Sequence, residues 1–429
     1  MNGVIDVIVV GGGVAGLSAA YGLAKAGIEV LLLERGDYPG SKNVTGGRLY
    51  LEPIKSIFPE LWEEAPFERC VKKERLSLLA KKSSLTLEFN SEEIKGTSYT
   101  LLRSKFDKWL SEKVEAYGGL IIPQKKVTGL LKEDGWVKGV VVEGEEKLRS
   151  NIVIIADGVL SPLGQQAGLK EEISPNRVAV GVKEVIQLPQ EEINKRFNLK
   201  DNEGVAHLFV GEVTEGVFGG GFLYTNLDTV SLGIVIGLEA FTNSKGVSEV
   251  PRLLEDFKSR NELYPLIEGG EVVEYSAHLI PEGAFGLTKK LFGNGVLLLG
   301  DAAGFALNHG ITVRGMDFAI ASGFFASEVV KEAKKRNDFS INALSLYESF
   351  LRNSFVLKDM YNFKNSSEIL WSVSRLYNYY PQLVSDLFKD IFFVPAENKE
   401  KLCKTFCRYL KKLFCDFQTY KDLWKLRGL

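Results

Sequence analysis

Histidine, methionine and cysteine are scarce in this 429-residue sequence, with only three His, three Met and four Cys. Four cysteines in a chain this long exclude a disulfide framework. Cys403, Cys407 and Cys415 follow a C-x3-C-x7-C spacing, unlike the tight runs that hold an iron–sulfur cluster. They read as small apolar fillers of a helix face. His207, His278 and His309 are scattered, which argues against a structural zinc site. An excess of one charge is also missing: 53 Lys+Arg face 55 Asp+Glu, a net −2, so no basic field suits nucleic acid. Residues 7–24 carry no charge over 18 positions, near the lower limit for a membrane span. Gly11, Gly12, Gly13 and Gly16 interrupt its middle and no basic residue precedes it, so it suits neither a lipid-facing helix nor a signal peptide. No other window resembles a span, and an intracellular chain is expected.

What is abundant is glycine: 43 residues, about 10% against the ~7% usual in proteins. Length alone suggests roughly two to three domains. Asp6-Val7-Ile8-Val9-Val10 reads as a strand buried on both faces, a small-residue helix follows, and Glu29 to Glu34 supplies a second strand. This is a βαβ unit. Residues 36–98, with four prolines, read as irregular. Residues 104–107 resemble an acid-bearing capping box for a helix through Tyr117. Residues 151–156 form another buried strand. Strand patterns then dominate (178–185, 206–210, 217–224, 230–237 and 271–279) before the first texture returns at Val296. The reading is α/β plus α+β. A Rossmann-like domain is split between 1–176 and 291–340, a mostly antiparallel sheet is inserted over 177–290, and 341–429 is helical.

Gly11-Gly12-Gly13-Val14-Ala15-Gly16 is a G-x-G-x-x-G placed after a strand and at a helix start. Gly11 makes the tight turn, Gly13 lets the backbone approach a pyrophosphate, and Gly16 lets helix pack on strand. The helix N-terminus offers N–H groups to the anion. Glu34, 23 positions after Gly11, can accept from a ribose diol and would repel a 2′-phosphate. Asp157-Gly158 and Gly300-Asp301-Ala302-Ala303-Gly304 each end a strand, where an Asp can accept from sugar or ribityl hydroxyls. Arg103 can reach across to the same dinucleotide.

This set resembles the FAD-dependent oxidoreductases of the para-hydroxybenzoate-hydroxylase fold. Within them, the stretch Gly40-Ser41-Lys42-Asn43-Val44-Thr45-Gly46-Gly47-Arg48-Leu49-Tyr50 resembles the FixC branch of the electron-transfer-flavoprotein:quinone oxidoreductases. So do Gly219-Gly220-Gly221-Phe222-Leu223-Tyr224 and residues 231–238 in the sheet domain. The resemblance covers essentially the whole chain. It implies that Gly11, Gly13, Val14, Ala15, Gly16, Glu34, Arg35, Arg103, Val127, Asp157, Gly158, Asp301 and Gly304 hold FAD. It places Gly46 and Gly47 against the isoalloxazine, and Gly310 and Ile311 where backbone N–H groups meet the flavin N1–C2=O region. Asn308 and His309 adjoin that segment, His309 as a solvated loop residue. No side-chain nucleophile or general base is implied, because the flavin does the redox work.

The implied activity is electron transfer from an electron transfer flavoprotein to a quinone, with menaquinone expected, at the membrane surface. Fused relatives end in a ferredoxin-like module with clustered cysteines. This chain shows none, which implies a separate ferredoxin-like iron–sulfur subunit. Work inside an electron-bifurcating complex is compatible with the same pattern. The alternative is a geranylgeranyl reductase, against which residues 42–50 argue; a flavin monooxygenase is a third class. Residues 361–429 hold 15 aromatics in 69 positions, and residues 401–429 hold eight Lys+Arg against two Asp. Such a basic aromatic helix suits a membrane interface on the cytoplasmic side, a docking face for partner subunits, or a packed core.

Overall fold

Strand Ile5–Val10, apolar except at Asp6, pairs in parallel with Val30–Leu33 on one side and Glu146–Ile155 on the other. Leu120–Ile122 and Val296–Leu298 extend the sheet outwards, also in parallel. Continuous Val/Ile/Leu runs are what strands covered on both faces require. The computed structural model describes residues 3–42, 47–243 and 249–429. Among these, the strands form an eight-stranded sheet, a nine-stranded sheet and a two-stranded ribbon. The N-terminal half of Glu146–Ile155 also pairs antiparallel with the hairpin Val127–Glu133/Trp136–Val142.

Helix Val14–Lys25 covers the parallel sheet and leans on helix Met316–Arg336, which follows it by 300 residues. The seam has no room for a methyl group. A Cβ on Gly323 would run into the Ala15 carbonyl oxygen, and one on Gly22 into Ser327 Oγ. Ser18 Oγ donates to Ile320 O at 2.7 Å across the same seam. This contact brings the two parts of the split domain together.

The nine-stranded sheet runs in the order Glu271–Pro281, Val178–Gln187, Thr229–Gly237, Gly219–Thr225, Glu203–Gly211, Arg69–Leu79, Ser98–Leu101, Gly47–Tyr50, with Ser84–Asn90 hairpinned on Arg69–Leu79. Only the pairing of Glu203–Gly211 with Arg69–Leu79 is parallel among these ladders. Residues 36–98 are therefore not irregular. They supply strands to a sheet that the sequence places wholly within 177–290. The capping box also fails. Asp107, read as its acid, instead binds the Arg103 guanidinium at 2.8 and 2.9 Å, and Leu102 stands at the N-cap of Arg103–Ala116.

Beyond residue 340 the chain is helical, ending in Tyr379–Phe392, Leu402–Phe414 and Phe417–Leu426. Their polarity is inverted. Thr405, Tyr409, Thr419 and Asp422 are buried, while Phe392, Phe393, Phe414, Phe417 and Trp424 are 60–75% exposed. Tyr409 donates to Asp390 at 2.8 Å, and Arg375 binds Asp416 and lies over Tyr379. Cys403, Cys407 and Cys415 are exposed too, so they do not fill a helix core as the sequence suggested. No helix among the described residues is long and apolar enough to cross a membrane.

Candidate functional site

The parallel strands end in step. Gly11 N donates to Leu33 O, Ala156 N to Val10 O and Leu299 N to Ile155 O, each at 2.9 Å. The residues that follow these strands, Gly11 to Ala15, Glu34, Asp157-Gly158 and Asp301, line one cleft of about 630 Å³. A crevice beyond the carboxyl ends of parallel strands is where this kind of sheet binds ligands. The two glycine-and-carboxylate segments, far apart in the chain, thus face a single cavity.

Gly11 adopts φ +107°, and a Cβ there would strike the Ala156 carbonyl oxygen. Gly16 lies outside the wall; its missing side chain lets the helix sit on the Gly11 carbonyl. Gly13 differs from both. A Cβ there would meet only Arg103 Nη2, 3.9 Å away, so the space over it is open. That open cradle at a helix N-terminus, below a guanidinium fixed by buried Asp107, fits a pyrophosphate. Glu34 accepts from Gly12 N at 2.7 Å and Gly36 N at 2.6 Å, which orients its carboxylate beside the cleft. Arg35 and Val127 line the wall close by in sequence to Glu34 and Lys125, whose N donates to Glu34 O.

The two aspartates differ. Asp157 turns onto the helix start behind it, accepting from Ser161 Oγ at 2.6 Å and Leu163 N at 3.1 Å. Asp301 makes no side-chain hydrogen bond among the described residues, and its neighbours His278, Arg103 and Lys170 act through charge alone. Burial pushes Asp301 above the ordinary carboxylate range, those three charges opposing. A cleft carboxylate with open acceptor sites fits a ribityl or ribose hydroxyl. Eight Lys and Arg side chains line the cleft with four carboxylates, and three of the eight, Arg48, Arg103 and Arg314, are ion-paired with Glu74, Asp107, Asp317 and Asp359, which do not line it.

Other predicted residues fall elsewhere. Gly47 opens the strand Gly47–Tyr50 and packs against Met316, which lines the cavity together with the next residue, Arg48. Gly304 ends the turn Gly300–Ala303 behind the wall. Gly310 N is not a free donor: it is taken by Asn308 Oδ1 at 2.9 Å, and the Ile311 side chain is 65% exposed. His309 is half-buried and stacked on Phe363 at 5.0 Å. Gly46 lies outside the described residues.

The cavity also contains residues that sequence reasoning passed over. Lys183 and His278 come from the nine-stranded sheet, Glu282 follows its strand Glu271–Pro281, and Arg314 precedes the Met316 helix. Burial, with the Arg103 charge adding to it, brings Lys183 down to about 8. Burial also lowers His278, with Asp301 opposing. A lysine in the middle of the apolar strand Val178–Gln187 was a readable signal. Arg48 is held by Glu74 and lies over Tyr50 at 4.3 Å; Arg314 is held by Asp317 and Asp359. These pairs fix two guanidinium groups on the cavity wall.

Family models match two segments: one described as FAD dependent oxidoreductase over residues 6–62, the other as glucose inhibited division protein A over residues 81–193. The chain is 44% identical over 411 residues to the probable electron transfer flavoprotein-quinone oxidoreductase YdiS of Escherichia coli (strain K12), covering 95% of each. It is 40% identical over 408 residues to protein FixC of Azorhizobium caulinodans, covering 92% of each. Among solved structures, a geranylgeranyl bacteriochlorophyll reductase-like protein of Thermoplasma acidophilum has a TM-score of 0.70 at 22% identity, over 99% of this chain and 100% of that one. The halogenase PltM, solved with phloroglucinol and FAD, has a TM-score of 0.64 at 14% identity, over 89% of this chain and 79% of that one. At these identities the structural likeness is one of fold.

Proposed function

Because the chain belongs to the family of FixC and the electron transfer flavoprotein-quinone oxidoreductases, we propose that it takes electrons from an electron transfer flavoprotein and passes them to a quinone. It is an FAD-dependent oxidoreductase. When bound, FAD supplies a store for an electron pair. In the proposed assignment the Gly13 turn and Arg103 hold the pyrophosphate, Glu34 the ribose and Asp301 the ribityl chain. Lys183, which lines the cleft, adds a cation there that favours negative charge. Menaquinone is the proposed acceptor, and a separate ferredoxin-like subunit the proposed relay.

The observation that carries this reading is the end-to-end similarity to YdiS, joined to a single cleft that both dinucleotide segments line. The test is stopped-flow mixing of the holoprotein with reduced electron transfer flavoprotein and a short-chain naphthoquinone. Flavin bleaching followed by quinone-dependent reoxidation is expected. Rapid bleaching by NADPH alone, with none by the flavoprotein, would replace the proposal with a monooxygenase.

We place the membrane contact at the last three helices. Their outward face is aromatic, and residues 401–429 carry a net charge of +6 from eight Lys+Arg and two Asp. Phe417 and Trp424 are 72% and 68% exposed, so changing both to serine removes little packing. The double variant is expected to fold normally and to bind anionic phospholipid vesicles at least about tenfold more weakly, as read by sedimentation, since each ring buries one to two kcal/mol or more of apolar surface. Unchanged sedimentation would move the contact elsewhere.

A further inference from the structure

Glu282 follows the last residue of strand Glu271–Pro281 and lines the cleft, yet it is only 3% exposed. Its two oxygens accept from neutral donors: Oε1 from Asn308 Nδ2 at 3.2 Å and Oε2 from Ser367 Oγ at 3.3 Å. No Lys, Arg or His forms an ion pair with it among the described residues. Arg177 lies near, but its Nη1 is spent on Gly283 O at 2.9 Å. The remaining titratable neighbour is Tyr377, whose hydroxyl donates to Leu370 O. Neither the Asn308 loop nor helix Ser366–Ser372 brings a charge onto it. A buried carboxyl held only by neutral donors exchanges its proton readily, because neither form is locked by a counter-charge. Asn308 ties it to the Gly310 loop, since the same side chain accepts from Gly310 N. Asp301, the other cleft carboxyl without a side-chain hydrogen bond to a charged group, differs in facing three cationic neighbours, His278, Arg103 and Lys170, which oppose its protonation.

We propose that Glu282 is the proton-exchanging group of the redox cleft: it takes up one proton when an electron pair enters and releases it when the pair leaves. This rests on the assignment of the cleft to FAD and is independent of which donor and acceptor partners use it. The electron pair goes to the cofactor; the proton, drawn from water, forms an O–H bond on a Glu282 oxygen. On reoxidation that bond breaks, the carboxylate returns and the proton is given back. The group is poised for this, burial having pushed it up to about 7, with the hydrogen bonds from Asn308 and Ser367 opposing. Negative charge arriving in the cleft raises it further. The uptake therefore belongs to the range from about pH 7 upward and fades below about pH 6, where the carboxyl is protonated in both states.

The experiment is photoreduction of the holoprotein with EDTA as electron donor, with no protein partner present, in weakly buffered solution containing a pH indicator. The wild type is expected to take up as much as about three quarters of a proton more per electron pair than E282Q at about pH 7.5, and the same number at about pH 5.5. Infrared difference spectra of the wild type are expected to gain a protonated-carboxyl C=O band on reduction near pH 7.5, absent in E282Q. Equal proton uptake in the two proteins overturns the proposal. So does a wild-type spectrum without the carboxyl band, a result that stands even where E282Q does not accumulate as holoprotein. A protein that carries no flavin at all would instead refute the assignment of the cleft, so the two failures are told apart.

Discussion

Replacing Gly13 by valine is expected to yield a folded but colourless protein. Gly13 has φ −78° and ψ 174°, extended backbone that valine adopts readily. Its missing Cβ points into open cleft, with Arg103 Nη2 as the sole atom within 4 Å. The fold therefore has no objection to the side chain; only a ligand lying on the turn does. Two methyl groups in the pyrophosphate cradle are expected to weaken FAD binding at least about 100-fold, or roughly 2.7 kcal/mol. Flavin absorbance after desalting, together with far-ultraviolet circular dichroism, reads both effects. Gly16→Val provides the contrast, because its side chain would run into the Gly11 carbonyl oxygen and is expected to cost the fold itself. A yellow G13V protein with wild-type flavin content would remove the pyrophosphate from this turn.

Lys170→Met is the second large effect. Lys170 is 3% exposed, and its ammonium donates to Val159 O at 2.6 Å and Ala302 O at 2.9 Å. Those carbonyls belong to the two loops that carry Asp157 and Asp301, so one buried cation ties together the two halves of the proposed cofactor shelf. Burial brings its pKa down to about 8, with Asp157 and Asp301 opposing. Methionine keeps the volume and leaves two buried carbonyls without that donor. A loss of about 2–4 kcal/mol follows from the usual cost of unsatisfied buried groups. Thermal unfolding should show a lowered midpoint, partly restored by excess FAD through mass action. A variant with the wild-type midpoint in the absence of added FAD would mean that the two loops do not need the lysine.

The glycine turn, Glu34, Arg103 and Asp301 were legible because each rests on local chemistry: a strand end, a helix start and a polar residue at a fixed place between them. Strand Arg69–Leu79 was not legible. Its inward positions include Arg69, Lys73 and Ser77, so the alternation of apolar and polar residues that announces a strand is erased. The structure satisfies them with carbonyls and polar side chains supplied from far along the chain. Arg69 reaches Asn226 O and Asp201 O, and Ser77 meets His207. Glu282 was hidden for a related reason. A single glutamate after a strand reads as surface, and only the docking of Asn308 and Ser367 from two other segments makes it a buried cleft residue. The exposed Cys403 and Cys407 show the reverse error: the helix was read, but the face it buries is its polar one.

The methyl-free seam between helices Val14–Lys25 and Met316–Arg336 carries a consequence for biosynthesis. Ribosomes add about 5–20 residues per second, so the turn at Gly13 leaves the exit tunnel some tens of seconds before its counterpart at Asp301 is even made. Throughout that interval the nascent chain has half a shelf and no second wall. Cofactor loading is thus a late event, timed by translation of the last third of the chain.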